Sequence, residues 1–81
     1  MRLYTTARCG YCLLLKRFLD YRHVAYDEID VDRDPQAAAQ LEAWTGGYRT
    51  VPTVELAGRV LVNPRGPDVL AALVQEPKPA S

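Results

Sequence analysis

The spacing of hydrophobic positions changes twice in the first third of the chain. Arg2–Thr6 is a short β-prone run that we interpret as a first strand. From Tyr11 to Tyr21 the apolar residues recur every three or four positions, which predicts a helix. Its expected buried stripe is Cys12, Leu15 and Leu19, widened by Leu14 and Phe18. Val24–Val31 then alternates imperfectly and predicts a second strand.

A second helix is predicted after a polar stretch. Asp34 followed by Pro35 is typical of a helix start, with Asp as N-cap and Pro at the first helical position. Gly46-Gly47 indicates the end of this helix, and residues 48–50 are predicted to form a loop. The expected inward stripe is Ala37, Ala38, Leu41 and Trp44.

A hairpin and a last helix complete the pattern. Thr53–Leu56 and Arg59–Val62 are β-prone runs on either side of Ala57-Gly58, which predicts an antiparallel hairpin. Gly66-Pro67-Asp68 then opens a final helix. Its expected inward positions are Val69, Leu70, Leu73 and Val74.

The predicted element order, βαβαββα, defines an α/β fold. Two strands joined by a helix should be parallel with a right-handed crossover. Together with the hairpin they give a mixed four-stranded sheet with helices on both faces. A chain of 81 residues allows one domain, which we assign to residues 1–75. Residues 76–81 are expected to be a flexible C-terminal tail.

Composition and charge narrow the function classes. Apolar residues make up 48% of the chain, enough for a compact core. Ten basic and ten acidic residues give a formal charge of zero with no polybasic segment, so nucleic acid is not an expected partner. No apolar run is long enough for a signal peptide or a membrane span. We expect a cytoplasmic protein without membrane attachment, and a monomer.

The chain has two cysteines, Cys9 and Cys12, three positions apart at the junction of the first strand and first helix. A thiol at a helix N-terminus faces unpaired N–H groups and the positive end of the helix dipole, which favour the thiolate. A second thiol one turn later can displace whatever the first has captured. Cys9 is therefore the predicted nucleophile, with Cys12 facing inward and with Arg8 and Lys16 adding positive charge. This is the thioredoxin-like redox arrangement.

A metal site is the other common use of a close cysteine pair. A structural zinc ion needs four ligands, and the chain offers one histidine, His23, beside the two cysteines. The carboxylates of residues 27–34 fall partly on a strand and are not expected to converge. We therefore expect no metal site within one chain.

Three features together resemble the glutaredoxin family of the thioredoxin superfamily. They are Cys9-Gly10-Tyr11-Cys12, Thr50-Val51-Pro52-Thr53 and the βαβαββα order, and the resemblance spans residues 2–74. Within the family the chain looks most like the mycoredoxins, which use mycothiol instead of glutathione. The residues behind this refinement are Tyr4-Thr5-Thr6, Leu13, Lys16, Ala25-Tyr26-Asp27-Glu28, Gly46-Gly47, Arg49 to Val54 and Asn63-Pro64.

The resemblance implies an activity and a set of site residues. It implies a thiol–disulfide oxidoreductase that removes a small thiol from S-thiolated proteins, has no bound cofactor, and is recharged through a flavoprotein disulfide reductase. It also implies that the Val51-Pro52 bond is cis and that Pro52 and Tyr11 are walls of the thiol groove. The residues expected to bind the thiol are Arg8, Tyr11, Lys16, Arg49, Thr50, Val51, Pro52, Asn63 and Asp68.

One departure from glutathione-using members favours mycothiol as co-substrate. Those proteins typically carry Gly-Gly and then acidic residues before the last helix, where they hold the glutathione backbone. Here the segment is Asn63-Pro64-Arg65-Gly66-Pro67-Asp68, in which Asp68 is the one acidic residue. This pattern is compatible with a thiol that carries a sugar.

Two other functions remain open on the sequence. One is a redoxin that takes electrons from thioredoxin reductase and feeds ribonucleotide reductase. Such redoxins usually carry an aromatic-Ser-Gly-Phe segment before the last helix, and it is absent here. The other is a module that binds an iron–sulfur cluster shared between two chains and an external thiol.

Overall fold

The computed structural model describes residues 1–75 and has seven elements in the predicted order. The predicted tail, residues 76–81, lies outside the described residues. The elements are β1 (Arg2–Thr5), α1 (Gly10–Tyr21), β2 (Asp27–Asp30), α2 (Pro35–Trp44), β3 (Thr53–Leu56), β4 (Arg59–Val62) and α3 (Gly66–Gln75).

The four strands form one mixed sheet in the order β2-β1-β3-β4. β1 pairs parallel with β2, and β3 pairs antiparallel with β4, as predicted. The sheet is joined by an antiparallel pairing of β1 with β3. Tyr4 on β1 lies opposite Thr53 on β3. The loop that leaves β1 and the loop that leads into β3 therefore lie at the same end of the sheet.

Each face of the sheet has its own core, because neighbouring side chains on a strand point to opposite faces. Leu3 packs on one face with α1 and α3, and Tyr4 packs on the other with α2. The buried residues of the first core are Leu3, Leu15, Leu19, Val54, Leu56, Val69 and Ala72. Those of the second are Tyr4, Val31, Ala38 and Leu41, with Trp44 packed against them. This arrangement confirms the prediction of helices on both faces.

Two positions predicted to be inward are exposed. Leu14 is 61% exposed, because it follows Cys12 by two residues and so lies about 200° around α1 from it. Val74 is 84% exposed for a similar reason, and Ala72 takes the inward position on α3. β2 is also shorter than predicted, since residues 24–26 precede the strand, although Val24 and Tyr26 still pack against the first core.

The predicted helix cap and hairpin turn are confirmed. Asp34 has extended backbone angles, and its carboxylate accepts the Ala37 N–H at 3.0 Å at the start of α2. Ala57 and Gly58 both have positive φ, which suits a two-residue turn between paired strands. No helix within residues 1–75 is long and apolar enough to cross a membrane.

Candidate active site

Cys9 is the N-cap of α1. Its backbone is extended, with φ −90° and ψ 111°, and its Sγ accepts the backbone N–H of Cys12 at 3.0 Å. The sulfur thus satisfies one of the N–H groups that a helix leaves unpaired at its first turn. Cys9 is half-exposed, and both cysteines are free thiols. The Cys9 sulfur is therefore accessible from solvent and is held at the helix start by a backbone hydrogen bond.

Cys12 lies directly beneath Cys9 and is 1% exposed. Burial, together with its hydrogen bond to Cys9, raises the pKa of the Cys12 thiol to about 12. Cys12 therefore keeps its proton at neutral pH while Cys9 faces the solvent. The two thiols therefore differ in access, since Cys9 can be reached from solvent and Cys12 cannot, and this difference suits a nucleophile and a resolving thiol.

The loop before β3 closes the site on the side facing Cys9. The Val51-Pro52 peptide bond is cis, as the resemblance implies, and Pro52 is buried. The Val51 carbonyl oxygen lies 3.8 Å from Cys9 Sγ and accepts its S–H. Thr53 Oγ1 donates to the Thr50 carbonyl at 2.7 Å, which fixes the loop just ahead of the strand. Backbone polar groups from the first turn of α1 and from the loop before β3 therefore contact the Cys9 sulfur.

Two of the predicted basic residues lie beside the cysteines. Arg8 and Lys16 line the same hollow of about 270 Å³ as Cys9 and Cys12. The Lys16 ammonium group forms an ion pair with Glu28 on β2, with 3.0 Å between Nζ and Oε2. Lys16 thus lines the hollow of the cysteines while its ammonium group is paired with a carboxylate of β2.

A second hollow, of about 470 Å³, runs along the exposed side of α1. Tyr11 and Asn63 both line it, and Tyr11 is 72% exposed. The other lining residues are Leu14, Leu15, Phe18, Pro64, Arg65 and Gly66. We call this hollow the Tyr11 groove. It combines aromatic and apolar surface with an amide and a guanidinium group.

Arg49 and Asp68 are held by other partners. Arg49 Nε donates to Glu42 on α2 at 2.8 Å, and this carboxylate raises the pKa of the guanidinium. Asp68 Oδ2 accepts the Arg65 N–H at 2.9 Å and so caps the N-terminus of α3. Neither side chain is directed at Cys9 by these contacts.

The sequence interpretation did not single out Glu28, Phe18 or Arg65 as site residues. From the sequence, Glu28 is considered only as one of the carboxylates of residues 27–34, whereas the structure has it in contact with both Lys16 and Thr5. Lys16 follows Cys12 by four residues on a helix, and that spacing was the available signal for a charge near the second thiol. Within residues 1–75, no group of three or more His, Cys, Asp or Glu side chains is arranged to hold a metal ion.

The chain is similar in sequence to known proteins. A glutaredoxin family model matches residues 2–61. A Mycobacterium tuberculosis protein named as a glutaredoxin is 46% identical over 76 residues, which cover 93% of this chain and 90% of that protein. Mycoredoxin 1 of Corynebacterium glutamicum is 38% identical over 72 residues, which cover 88% and 89% of the two chains.

The similarity extends to the fold of a solved structure. The glutaredoxin-like protein NrdH-redoxin from Escherichia coli matches with a TM-score of 0.75 at 34% identity, over 98% of this chain and 100% of that chain. The family model covers most of the chain, and the fold is the thioredoxin fold. The chain belongs to the glutaredoxin family, is mycoredoxin-like in sequence, and is a thiol–disulfide oxidoreductase.

Proposed function

We propose that this protein reduces mixed disulfides between proteins and a small thiol, with Cys9 as nucleophile and Cys12 as resolving thiol. The observation that carries the proposal is the Cys9 sulfur itself. It caps α1, accepts the Cys12 N–H at 3.0 Å, and is half-exposed above a thiol that is 1% exposed. The Cys9 sulfur is thus accessible to a substrate, whereas the buried Cys12 sulfur is reached through Cys9.

The proposed reaction has two possible second steps. The Cys9 thiolate attacks the small-thiol sulfur of the mixed disulfide, so the substrate protein leaves as a thiolate and Cys9 carries the small thiol. In the monothiol route a second small thiol then attacks the small-thiol sulfur held on Cys9. This releases a small-molecule disulfide and restores Cys9. In the dithiol route Cys12 loses its proton to water, attacks Cys9 Sγ, and expels the small thiol as a thiolate.

Mycothiol is the small thiol that we propose. One support is the similarity to Mycoredoxin 1. The other is the chemistry of the Tyr11 groove, because its lining residues include no carboxylate. The ammonium group of glutathione would need a carboxylate there. An uncharged polyol can instead stack on the exposed Tyr11 ring and hydrogen-bond to Asn63.

The remaining site assignments are part of the same proposal. Arg8 and Lys16 supply positive charge around the cysteines, and Thr50, Val51 and Pro52 form the wall opposite Cys9. Arg49 and Asp68 would contribute to the thiol only if their present partners released them. We also propose a reducing, cytoplasmic setting and a monomer, in which S-thiolated proteins and a flavoprotein disulfide reductase are the partners.

The test is NADPH consumption with a mixed-disulfide substrate in three parallel couplings. These are mycothiol with its reductase, glutathione with its reductase, and thioredoxin reductase alone. Turnover with mycothiol and not with glutathione is the expected result. Equal turnover with both thiols would contradict the role given to the Tyr11 groove.

A second function is favoured by a separate observation. NrdH-redoxin of Escherichia coli, which is described as having a thioredoxin-like activity profile, has the same fold over the whole of its chain. Turnover with thioredoxin reductase alone would move this protein to that electron route. A brown, dithionite-sensitive preparation without disulfide reductase activity would instead favour the cluster-binding module.

A further inference from the structure

Lys16 lines two neighbouring hollows beside the β1–α1 loop. It follows Cys12 by one helical turn on the same face of α1 and lines the hollow that contains both cysteines. It also lines a neighbouring hollow of about 440 Å³, whose other side chains include Glu28 and Asp30 of β2. Its side chain is 30% exposed, so much of its length is covered by protein.

Glu28 is held in place from two directions through the same oxygen atom. Its Oε2 accepts the Thr5 hydroxyl at 2.8 Å and forms the 3.0 Å ion pair with Lys16. The hydrogen bond and charge of Lys16, with a smaller contribution from Thr5, lower the pKa of the Glu28 carboxyl group. Glu28 is therefore a fixed anion at neutral pH. It is poorly suited to accept a proton from a thiol and well suited to anchor a cation.

The charged and titratable groups around Cys12 do not act in the same direction. Burial and Cys9 raise the pKa of the Cys12 thiol, whereas the positive charge of Lys16 lowers it. Arg8 lines the same hollow as a second cation, and Glu28 and Asp30 lie in the neighbouring hollow. Among these groups Lys16 is the cation that the α1 helix brings to the side of Cys12 and that a second element holds.

We propose that Glu28 is a positioning residue for the resolving step: it holds the Lys16 ammonium group where the charge stabilises the Cys12 thiolate as that thiolate attacks Cys9. This inference rests on the proposed dithiol chemistry of Cys9 and Cys12. It assigns Lys16 to the second half of the reaction, in addition to any effect on Cys9. It also gives a role to a β2 carboxylate that has no contact with the nucleophile.

The step is balanced by groups already named. Cys12 S–H gives its proton to water, and the new thiolate attacks Cys9 Sγ. The bond between Cys9 Sγ and the small thiol breaks, and the small thiol leaves with the electron pair. Cys9 and Cys12 are oxidised to a disulfide as the small thiol is reduced.

The experiment uses one equivalent of dithiobis(nitrobenzoate), a symmetric aromatic disulfide, mixed rapidly with the reduced full-length protein. Attack by Cys9 releases a first coloured thiolate, and closure by Cys12 releases a second. The rate of the second phase therefore reports the resolving step by itself, and it is measured as a function of pH.

The variants compare removal of the cation, removal of its anchor and a matched change of charge. Lys16→Met should slow the second phase about tenfold at neutral pH, because a shift of about one pKa unit changes the thiolate fraction tenfold. Its rate profile should move about one pH unit to higher pH. Glu28→Gln should slow the second phase by a smaller factor, and Lys16→Arg should restore most of the rate. Arg17→Met, an exposed neighbour on α1, is the control for net charge.

The outcomes separate this inference from the proposed function. Absence of the first phase in the native protein would contradict the nucleophile assignment itself. A first phase without a second would overturn the inference and leave a monothiol enzyme. Equal slowing in Lys16→Met and Arg17→Met would overturn it as well. Faster closure in Glu28→Gln would mean that Glu28 competes with Cys12 for Lys16, which contradicts a positioning role. Thermal unfolding of each variant checks that the fold is retained.

Discussion

At the scale of single residues, two identical side chains acquire different chemistry from their positions on one helical turn. Cys9 precedes the first turn of α1 and can use its sulfur to cap the helix. Cys12 lies inside that turn and is sealed by the core, so its thiol carries the cost of burial. Since a helix places residues three apart on the same side, the sealed sulfur lies below the open one. The different positions of the two thiols, one exposed and one buried, follow from helix geometry.

Serine substitutions test the separate roles of the two thiols directly. Cys9→Ser should lower mixed-disulfide reduction by at least about 10³-fold, because a hydroxyl group is a far weaker nucleophile toward a disulfide than a thiolate. Cys12→Ser should retain activity within about tenfold if the monothiol route operates. The coupled NADPH assay measures both variants. An inactive Cys12→Ser enzyme with an active Cys9→Ser enzyme would mean that the two roles are reversed.

At the scale of elements, α1 and α3 approach closely at a glycine. Gly66 is buried at the start of α3, and a Cβ atom added there would overlap the ring of Phe18 on α1. The same two residues line the Tyr11 groove. The packing of two helices and the shape of the groove therefore depend on one missing methyl group.

Gly66→Ala should destabilise the protein by about 1–3 kcal/mol, which is typical of an extra methyl group in a filled space. The Phe18 ring would have to turn toward the groove, so KM for the mixed disulfide should rise. Denaturant unfolding and steady-state kinetics measure the two effects. Gly10→Ala is the matched control for the unfolding measurement, since a Cβ there meets no atom within 4 Å. If Gly66→Ala lost as much stability in a Phe18→Leu background, the overlap with Phe18 would not be the cause.

At the scale of the whole molecule, two protonated groups make the stability of the fold depend on pH in the alkaline range. Burial, and then the hydrogen bond that Tyr26 donates to Asp20 at 2.9 Å, raise the pKa of the Tyr26 hydroxyl from 10.0 to about 12. The Cys12 thiol is likewise raised from 9.0 to about 12. Between the ordinary pKa of each group and about 12, the unfolded chain releases a proton that the folded chain retains. The contribution of these two groups to the free energy of unfolding should therefore be complete below pH 9.0, and it should decrease as the pH rises toward 12.

Urea unfolding at a series of alkaline pH values measures this loss under reducing conditions. Each group contributes a slope of at most about 1.4 kcal/mol per pH unit. Tyr26→Phe removes one contribution and Cys12→Ser the other, so each variant should show a shallower decline than the native protein. A decline of the same slope in all three proteins would exclude both groups as its source.

Much of this structure could be predicted from local pattern, and the exceptions share a cause. The cysteine pair, the Asp34 cap and the Ala57-Gly58 turn depend on neighbours within a few residues, and the structure has them at the predicted positions. Glu28 is different, because its partners Thr5 and Lys16 lie 23 and 12 residues away in the chain. Side chains from β1, α1 and β2 meet only after the sheet has formed. The periodicity of residues within one element does not predict contacts between side chains of different elements.

The pairing of β1 with β3 also fixes a dimension of the site. Neighbouring strands lie about 4.8 Å apart in any sheet. Cys9 follows one of these strands and Val51 precedes the other, so the gap between sulfur and main-chain carbonyl is inherited from backbone hydrogen bonding. Because the backbone sets this distance, side-chain substitutions do not change it. Residues along the Tyr11 groove can therefore change, and with them the thiol that fits, while the spacing between the Cys9 sulfur and the Val51 carbonyl stays the same.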